Sequence, residues 1–532
     1  MTEELRERAD RWLAEDPDPD TRAELAALLA ADDLPGLAER FDGQLEFGTA
    51  GLRGPLGAGP TRMNRAVVRR TAAGLAAWLA AQGGSGPVII GYDARHKSAD
   101  FAADSAAVLA GAGFDAQVLP GPLPTPVLAF AVRRLAGRAG IMVTASHNPP
   151  QDNGYKVYLA DGAQLVPPAD REIEAAIAAV GSLAGVPLSD AWTTLGEEVL
   201  AAYLSAVADV PRTPHRELTI ASTALHGVGG PVLAAALEAA GFARPVEVAE
   251  QAAPDPEFPT VAFPNPEEPG ATDLLLALAD RIGADIAIAN DPDADRCAVA
   301  CAGRLLRGDE VGVLLADHLM RHGVHGSYVT TVVSSSMLGA LCAARGEGHA
   351  QTLTGFKWIV RGAPDLVYGY EEALGYAVAP DLVRDKDGIS AALLVADLAA
   401  SLRADGKTLM DRLDELAAEF GVYATDQLSV RAADPAVFAE AMARLRAEPP
   451  RTLLSRPLST VEDLLPDSDV LVLRADRCRV VVRPSGTEPK LKAYLEVVVP
   501  VATGPANGSV DAARKQAADQ LVALREEVAA LL

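Results

Sequence analysis

Cysteines and membrane-spanning segments are largely missing from this sequence. Only four of its 532 residues are cysteine, and no two of them form a CxxC pair. We therefore expect neither a disulfide scaffold nor a cysteine-ligated zinc module, and we predict that the four thiols are buried small side chains. No apolar run is long enough to cross a bilayer, and the chain does not start with a basic segment followed by an apolar one. A cytoplasmic protein without a membrane partner is predicted.

Basic residues are also scarce, with 47 lysines and arginines against 72 acidic residues and a net charge of −25. This charge repels nucleic acid, so we predict no nucleic-acid partner, and an anionic ligand must meet a local group of cations. Only eight of the basic residues are lysines. Five of these fall in segments rich in glycine and proline: Lys156, Lys357, Lys386, Lys490 and Lys492.

The length of the chain predicts several domains, because one hydrophobic core stops growing well below this size. A strand, a helix and a second strand recur three times, beginning near Pro87, Leu218 and Tyr328. These units predict three related α/β domains with mixed sheets, and the strands and helices after Tyr423 predict a smaller C-terminal α+β domain. The predicted domain boundaries are 1–210, 211–320, 321–422 and 423–532.

A serine is predicted at the end of a buried strand in the segment 140–150, which reads GIMVTASHNPP. Residues 141–143 form the apolar strand pattern, and two prolines prevent its continuation. Ligands bind at the carboxyl ends of strands in open α/β sheets. Ser146 is therefore a candidate nucleophile, with His147 beside it and Lys156 shortly after. The alternative is an ordinary Asn-Pro turn with a capping serine.

Three aspartates follow another buried strand in the segment 286–296, IAIANDPDADR. Alternate residues of an extended segment point the same way, so Asp291, Asp293 and Asp295 can converge on one centre. Three negative charges so close together predict a bound cation, and all-oxygen ligands suit Mg²⁺. An EF-hand is excluded because Arg296 stands where that loop needs glycine. The alternative is a solvated acidic turn.

Four further segments combine glycine with polar or cationic side chains. They are FGTAGLRG at 47–54, TGFKW at 354–358, YEEALGY at 370–376 and RPSGTEPK at 483–490. The last suits a phosphate carried on a sugar, and it lacks the Gly-Lys-Ser/Thr of a nucleotide-binding P-loop. Adjacent glutamates at 371 and 372 can accept hydrogen bonds from sugar hydroxyls, and Lys386 can reach a phosphate or a ring oxygen. Taken singly, each segment could equally be a surface turn.

Two other patterns carry no predicted chemistry. His318, His322 and His325 have a spacing compatible with zinc on a helix, but no acidic or cysteine ligand is close in sequence, so we predict a half-exposed helical face. Two short amphipathic helices are predicted in the first forty residues, with Thr21 and Glu24 in capping-box spacing.

Five motifs occur in the order and spacing of the α-D-phosphohexomutases, and the sequence resembles the phosphoglucomutase/phosphomannomutase family over nearly its whole length. They are GTAGLRG at 48–54, TASHNP at 144–149, DPDADR at 291–296, EEALG at 371–375 and RPSGTEP at 483–489. The resemblance implies four domains around a central cleft, each contributing one loop. It also implies an isomerase that transfers a phosphoryl group through a phosphoserine enzyme and a sugar bisphosphate intermediate. The same sugar bisphosphate is the expected activator of the enzyme.

The resemblance further implies a role for each site residue. Ser146 is carried as phosphoserine, and it holds Mg²⁺ together with Asp291, Asp293 and Asp295. The catalytic group comprises Ser146, His147, Lys156, Arg53 and Arg296; the three cations neutralise the reacting phosphoryl group, and His147 is a candidate proton carrier. The substrate-binding residues are Thr354, Gly355, Glu371, Glu372, Lys386, Arg483, Ser485, Gly486 and Thr487, and the last four of these grip the phosphate that is not reacting.

One position departs from the family's pattern. Many members have Glu-x-Ser in the sugar loop, whereas here Glu371 is followed two residues on by Ala373. The form EEALGY resembles the branch that includes phosphoglucomutases able to act on pentose phosphates. We therefore place glucose phosphate first as the substrate, with mannose and pentose phosphates as alternatives. A sugar phosphatase and a phosphosugar-binding protein without turnover are the alternatives from other classes, and we expect a monomer or small homo-oligomer.

Overall fold

The computed structural model describes residues 2–47, 51–431, 436–485, 490–502 and 509–532. Its helices and strands form four successive units, and each unit is built on one sheet. In the described part of the chain, every helix is too short or too polar to cross a membrane.

The first unit contains a six-stranded mixed sheet. Its helices are α1 Thr2–Glu15, α2 Pro19–Ala30, α3 Leu34–Phe41, α4 Arg65–Gln82, α5 Ser98–Gly111, α6 Thr125–Arg134, α7 Ala169–Ala178 and α8 Glu198–Val207. Its strands are β1 Leu52–Pro55, β2 Val88–Tyr92, β3 Ala116–Val118, β4 Ala139–Val143, β5 Asp152–Leu159 and β6 Thr193–Thr194. The strand order is β1-β5-β4-β2-β3-β6, and β1 and β5 run antiparallel to their neighbours.

The second and third units are smaller. The second contains β7 Ile220–Thr223, α9 Gly229–Ala239, β8 Val246–Glu247, α10 Asp273–Ile282, β9 Ile286–Ala289, β10 Ala298–Cys301 and β11 Arg304–Leu305. The third contains α11 Gly308–Arg321, β12 Ser327–Thr331, α12 Met337–Arg345, β13 Gly348–Thr352, α13 Phe356–Ile359, β14 Leu366–Glu371, β15 Gly375–Ala377, α14 Gly388–Ala404 and α15 Leu409–Phe420. The strand orders are β11-β10-β9-β7-β8 and β13-β12-β14-β15.

The fourth unit has a different topology, with an antiparallel sheet and two helices. It contains β16 Val422–Arg431, α16 Ala436–Ala447, β17 Thr452–Leu453, β18 Arg456–Asp463, β19 Leu471–Ala475, β20 Cys478–Pro484, β21 Lys490–Val499 and α17 Val510–Leu531. The strand order is β16-β21-β20-β19-β18-β17. The predicted fold class, three related α/β domains and a C-terminal α+β domain, is confirmed.

The predicted strand, helix and strand units are present in all three α/β sheets. β2 pairs in parallel with β3, β7 with β8 and β12 with β13, and one helix connects each pair. The strands that precede the candidate site residues lie centrally in these sheets. β4 ends three residues before Ser146, β9 ends two residues before Asp291, and β14 ends at Glu371. The carboxyl ends of central strands therefore carry the candidate chemistry, as in open α/β sheets generally.

One hydrophobic core joins the first three units, with Phe130 from the first, Leu233 from the second and Leu393 from the third among its members. The fourth unit has a separate core between its sheet and its helices. It contacts the third unit through an apolar cluster in which Val333 packs against Val470, Val472, Val481 and Tyr494, and helix α15 of the third unit also packs against β16 and α17. An interface between domains with separate cores is where they can move relative to one another.

Two local predictions are wrong. The capping box at Thr21 does not form, because the helix begins earlier at Pro19 with Asp18 as its N-cap, and the Thr21 hydroxyl donates instead to Asp16. The prediction of a half-exposed histidine face is wrong for His318, which is 1% exposed with its Nε2 2.8 Å from Asp397 Oδ2, whereas His322 and His325 are exposed. The carboxylate comes from a distant helix, α14, so sequence proximity could not have indicated it.

Candidate active site

Ser146 lies in the loop between β4 and β5, where its side chain points at the aspartate loop. The residue is 2% exposed and has a positive φ of 52°, a conformation that costs energy for a residue with a side chain. Its N–H donates to Thr144 Oγ1 at 2.8 Å and its Oγ donates to Asp291 Oδ2 at 2.7 Å. His147 Nδ1 lies 3.2 Å from the same Oγ. The fold thus brings together a serine and an aspartate that are far apart in sequence.

The three predicted metal ligands form one cluster. Asp291, Asp293 and Asp295 are buried, and one carboxylate oxygen of each lies within 4.8 Å of the others. Asp293 Oδ1 and Asp295 Oδ1 are buried without a hydrogen-bond partner among the described residues. Because buried polar atoms are normally paired, these oxygens indicate a missing electropositive partner. An all-oxygen set of three carboxylates and a serine oxygen fits a hard divalent cation such as Mg²⁺.

Lys156 and Thr125 hold the other oxygen of Asp293. Lys156 Nζ lies 2.7 Å from Asp293 Oδ2 and 3.1 Å from Asp295 Oδ2, and Thr125 Oγ1 donates to Asp293 Oδ2 at 2.6 Å. β5 carries Lys156 opposite Met142 of β4. Burial alone would lower the pKa of Lys156, but Asp293 and Asp295 raise it above the ordinary lysine value. Lys156 therefore stays charged.

Arg53 and Arg296 flank the same cluster. Arg53 lies on β1, opposite Gly154 of β5, while the Arg296 N–H donates to Asp291 Oδ1 at 3.0 Å. The Nε atoms of both arginines are buried without a hydrogen-bond partner in the described parts of the chain. Burial lowers the pKa of Arg53, and the charges of Asp293 and Asp295 oppose this shift. Two guanidinium groups with unused donors beside a serine can bind a phosphate.

His147 is enclosed by the same cations. Burial lowers the pKa of His147 well below its ordinary value, and the charges of Arg296 and Arg53 lower it further. A neutral imidazole 3.2 Å from Ser146 Oγ can exchange a proton with that oxygen.

The two glutamates of the predicted sugar loop have different surroundings. Glu372 Oε2 accepts hydrogen bonds from Ser334 Oγ at 3.0 Å and Thr331 Oγ1 at 3.3 Å, so hydroxyls at the end of β12 fix it. Glu371 ends β14, and burial raises its pKa to about 7, an effect that Lys386 opposes. Glu372 is thus held by protein hydroxyls, and Glu371 stays the predicted acceptor for sugar hydroxyls.

Backbone contacts join the sugar loop to the aspartate loop. The Cys297 N–H donates to Leu374 O at 3.1 Å, and Arg296 forms an antiparallel bridge with Gly375. A Cβ at Gly375 would lie 2.4 Å from Lys386 Cδ, so a larger residue there would displace the lysine side chain. Lys386 Nζ lies 3.4 Å from Asp295 Oδ2. The two loops and Lys386 therefore form one unit.

Thr354 and Gly355 precede the short helix α13. Gly355 has a positive φ of 111°, which favours glycine. The next residue, Phe356, lies under Lys386, whose Nζ is 5.4 Å from the ring centre. The Thr354–Gly355 segment is therefore adjacent to the sugar loop, where the sequence predicted substrate contacts.

The predicted phosphate loop follows β20. Arg483 pairs with Lys492 across β20 and β21, its Nε is buried without a hydrogen-bond partner among the residues described, and the Ser485 N–H donates to Lys490 O at 2.8 Å. Gly486 and Thr487 lie outside the described residues. Burial raises the pKa of Tyr494, and the charge of Glu372 raises it further whereas that of Arg483 lowers it. The Arg483 end of the fourth sheet thus lies near the sugar loop.

Two residues at the site were not predicted. Thr125 begins α6 in the segment GPLPTP, and Arg95 follows β2 in the segment DAR. A polar residue at the carboxyl end of the strand next to β4 was a usable signal for Arg95, since neighbouring parallel strands end at the same edge of a sheet. Nothing in the sequence distinguishes Thr125 from an ordinary first residue of a helix.

Four domain profiles of one family match the chain in succession. They are the phosphoglucomutase/phosphomannomutase alpha/beta/alpha domains I at 44–183, II at 201–304 and III at 307–420, and the C-terminal domain at 427–503.

Three individual proteins show the extent of the similarity. A "Probable phosphomannomutase" from Haemophilus influenzae is 44% identical over 450 residues, which cover 82% of this chain and 93% of that protein. A mouse "Phosphopentomutase" is 34% identical over 597 residues, covering 99% of this chain and 95% of that protein. The crystal structure of a "putative phosphomannomutase" from Thermus thermophilus matches with 27% identity and a TM-score of 0.70, covering 90% of this chain and 99% of that one.

The fold and the site together define a phosphosugar mutase, an isomerase that moves a phosphoryl group between positions of one small molecule. The chain belongs to the phosphoglucomutase/phosphomannomutase family, within the α-D-phosphohexomutase superfamily.

Proposed function

We propose that this mutase interconverts the 1-phosphate and the 6-phosphate of glucose through a phosphorylated Ser146 and a glucose bisphosphate. The observation that supports it most is the placement of Ser146 Oγ, buried and 2.7 Å from Asp291 Oδ2, beside Lys156 and two further carboxylates. A serine oxygen among carboxylates and cations is suited to carrying a phosphoryl group that must be neutralised while it is transferred.

The residues around Ser146 have separate tasks in this scheme. Asp291, Asp293 and Asp295, with the serine phosphate, would hold Mg²⁺, which when bound withdraws charge from the phosphoryl group. Lys156, Arg53 and Arg296 donate to the phosphoryl oxygens. His147, which lies within 3.2 Å of the serine oxygen, carries the proton that the acceptor hydroxyl loses.

The sugar and its second phosphate bind on the other side of the cleft. Glu371 accepts hydrogen bonds from sugar hydroxyls, while Glu372 orients the loop through Ser334. Thr354, Gly355 and Lys386 line the same region, and Arg483, Ser485, Gly486 and Thr487 hold the phosphate that is not reacting. The bisphosphate must turn over between the two half-reactions, so these groups bind both orientations, and a trace of bisphosphate activates any unphosphorylated enzyme.

Pentose phosphate is a second candidate substrate, favoured by two observations. Ala373 removes the hydroxyl that many relatives place in the sugar loop, and the similarity to the mouse phosphopentomutase spans 99% of this chain. A site rejects an analogue when one of its own polar groups is left unpaired by that analogue. A loop with one hydroxyl fewer has one such group fewer, so it discriminates less between a hexose and a pentose.

A substrate panel tests the proposal. Purified protein with Mg²⁺ and trace bisphosphate is given the 1-phosphates of glucose, mannose and ribose, and kcat/KM is compared. We expect the highest kcat/KM for glucose 1-phosphate and the second highest for ribose 1-phosphate. A higher kcat/KM for mannose 1-phosphate or ribose 1-phosphate than for glucose 1-phosphate would reassign the sugar.

Ser146→Ala tests the chemistry. We expect turnover to be lost and phosphosugar binding to remain, whereas Ser105→Ala, which alters a buried serine that donates to its own helix, leaves turnover intact. Intact-mass measurement of the wild type should find one phosphate, and fragmentation of its peptides should assign the phosphate to Ser146. Release of inorganic phosphate at the rate of substrate consumption would indicate a phosphatase instead.

A further inference from the structure

Arg95 lies directly beneath the serine loop, although it touches none of the reacting atoms. It follows β2, whose parallel neighbour β4 leads into that loop. Its side chain is almost completely buried, with 4% of the residue exposed. A buried arginine needs partners for its donors, and the partners here are unusual.

The guanidinium of Arg95 holds four backbone carbonyl oxygens, three in the serine loop and one in the first residue of β5. Nη2 donates to the carbonyl oxygens of Ser146, at 2.6 Å, and of Asn148. Nη1 donates to those of Pro149, at 2.8 Å, and Asp152, at 3.1 Å. One planar group thereby fixes both sides of the turn that carries the serine.

Other groups fix Arg95 itself. Asp93 Oδ2 lies 3.5 Å from Arg95 Nε, and Asp93 Oδ1 accepts the Arg95 N–H at 3.0 Å and the Ser98 hydroxyl at 2.7 Å. Phe258, from the second unit, lies against the guanidinium, with its ring centre 4.9 Å away. The arginine is held from two domains, so its position is set before any ligand binds.

We propose that Arg95 is a positioning residue that keeps Ser146 aimed at the aspartates while its phosphate is loaded and unloaded. The proposal rests on the proposed function. Ser146 has a positive φ, so its loop tends to relax to another conformation unless something holds it. Arg95 binds the Ser146 carbonyl oxygen, which is two bonds from the Cα that carries the side chain. Because its four Nη donors are used by carbonyl groups, Arg95 does not follow the phosphate when the phosphate leaves.

Arg95→Ala and Arg95→Lys test this inference. Displacement of a reacting group by about 1 Å can cost on the order of a hundredfold in rate. We therefore expect Arg95→Ala to lower kcat about a hundredfold with KM within about threefold of the wild type, since the sugar and phosphate contacts remain. Arg95→Lys keeps the charge but loses the fork, so we expect a kcat loss of about tenfold or more. Millimolar guanidinium should restore part of the kcat of Arg95→Ala only.

Arg138→Ala is a matched control in the same domain. Arg138 also donates to two backbone carbonyl oxygens, those of Leu79 and Gly83, and lies over an aromatic ring, Phe114, at 4.8 Å. It is remote from Ser146 in the sheet, at the opposite end of β4. We expect Arg138→Ala to lower the thermal midpoint while kcat stays within about threefold of the wild type, without rescue by guanidinium.

Amide hydrogen exchange provides a readout that needs no turnover. Exchange in residues 144–152 should be faster in Arg95→Ala and unchanged in Arg138→Ala, because only the first loses its clamp. A folded Arg95→Ala with kcat and loop exchange equal to the wild type would overturn the inference. So would equal kcat losses in both alanine variants, or failure of both Arg95 variants to fold, since Arg95 would then serve the fold in general. A wild type that converts no phosphosugar would reject the proposed function, while the exchange comparison would still test the clamp.

Discussion

The three aspartates of the candidate metal site differ in what each carboxylate contacts. Asp293 and Asp295 each place one oxygen on Lys156 and leave the other unpaired, whereas Asp291 accepts from Ser146 and from the Arg296 N–H. Burial and the charges of Asp293 and Asp295 raise the pKa of Asp291 well above its ordinary value. Burial, the largest single effect, would raise the pKa of the other two carboxyls as well, but their pKa values are lowered overall, by Lys156 and a hydrogen bond with Asp291 at Asp293 and by Lys156, Lys386 and Arg296 at Asp295. One cation at the unpaired oxygens would let all three carboxylates stay ionised.

Asp293→Asn should weaken Mg²⁺ binding at least about tenfold and lower kcat at least about a hundredfold, because one of three ligand charges is lost. Calorimetric titration with Mg²⁺ measures the first effect without turnover, and the substrate assay measures the second. Asp317→Asn is the control, since Asp317 is equally buried but pairs with Arg412 far from Ser146. Identical Mg²⁺ affinity in wild type and Asp293→Asn would place the metal elsewhere.

Lys357 is a buried cation whose Nζ has no hydrogen-bond partner among the described residues. Burial lowers its pKa to about 8 from the ordinary value of 10.5. The unfolded chain therefore binds more protons between pH 8 and 10.5, and stability rises with pH across that window. Lys357→Met should raise the free energy of unfolding by about 1 to 3 kcal/mol at pH 7, and the gain should vanish as pH approaches 10.5.

Denaturant unfolding at several pH values measures this difference. Lys97→Met is the control: its ammonium pairs with Asp18 at 3.2 Å and Asp20 at 2.7 Å, so its loss should destabilise at pH 7. A Lys357→Met gain that stays constant from pH 7 to 10.5 would show that titration of the ammonium is not its cause.

At the scale of helices and strands, apolar patterns predicted most of the fold. The buried strands β4, β9 and β20 have continuous apolar runs, so their ends could be located and the loops after them assigned. β18 was not predicted, because it is largely exposed and its residues read RPLSTVED, a pattern typical of a loop. Its strand state depends on pairing with β19, which local sequence does not reveal.

The sequence likewise predicted which loops carry the site but not how they are held. Ser146 and Asp291 were assigned because each follows an apolar strand. The contacts of Glu372 with Ser334, of Lys386 with Asp295 and of Arg95 with the serine loop join elements that are distant in the chain. Such contacts depend on three-dimensional packing, so a single sequence contains no local signal for them.

The loop between β12 and α12 connects the sugar loop to the fourth domain. Ser334 donates to Glu372, and the next residue but one, Ser336, donates to Glu496 of β21 through both its N–H, at 2.8 Å, and its hydroxyl, at 2.6 Å. Arg479 of β20 binds the carbonyl oxygens of Val332 and Ser334 from the other side. Movement of the fourth domain is therefore coupled to this loop.

Glu496→Gln should loosen this connection. The glutamine side chain is uncharged and has one oxygen, whereas the two Ser336 hydrogen bonds use both oxygens of the carboxylate. Loss of a charge-assisted hydrogen bond costs about 1.5 to 3 kcal/mol, so local exchange of the Ser336 amide should be at least about tenfold faster. Hydrogen exchange measured by mass spectrometry follows this segment. Glu419→Gln, which removes a carboxylate paired with Arg345 outside the loop, should leave it unchanged. Equal exchange in Glu496→Gln and wild type would show that the connection does not depend on this carboxylate.

The hydrophobic cores divide the molecule into a body of three domains and a separate fourth domain. The first three domains share a core, whereas the fourth has its own and meets the third through the cluster around Val333, the polar contacts of the loop between β12 and α12, and helix α15. In the proposed reaction, a bisphosphate that turns over must be released from one set of contacts without leaving the site, and water must be excluded. A domain with a separate core can open and close over the other three while the serine and the aspartates stay fixed, and the loop between β12 and α12 would carry part of this movement to the sugar loop.

Arg483 belongs to that fourth domain, and we expect it to hold whichever phosphate is not reacting. A charge-assisted bidentate contact contributes on the order of 1.5 to 3 kcal/mol. Arg483→Ala should therefore raise KM by roughly tenfold to a hundredfold for the 1-phosphate and the 6-phosphate alike, because both orientations use the same group. Looser closure should also let the bisphosphate escape, so the variant should depend more on added bisphosphate and release more inorganic phosphate per turnover.

Initial rates in the two directions, measured separately with and without bisphosphate, test this expectation. Arg525→Ala provides the control, since Arg525 lies on α17 of the same domain and pairs with Asp426 rather than facing the cleft. Its KM values should match those of the wild type in both directions. If Arg483→Ala raises KM in one direction only, the two orientations of the sugar do not share this phosphate site. The bisphosphate would then have to be held by other groups while it turns, and closure of the fourth domain would no longer account for its retention.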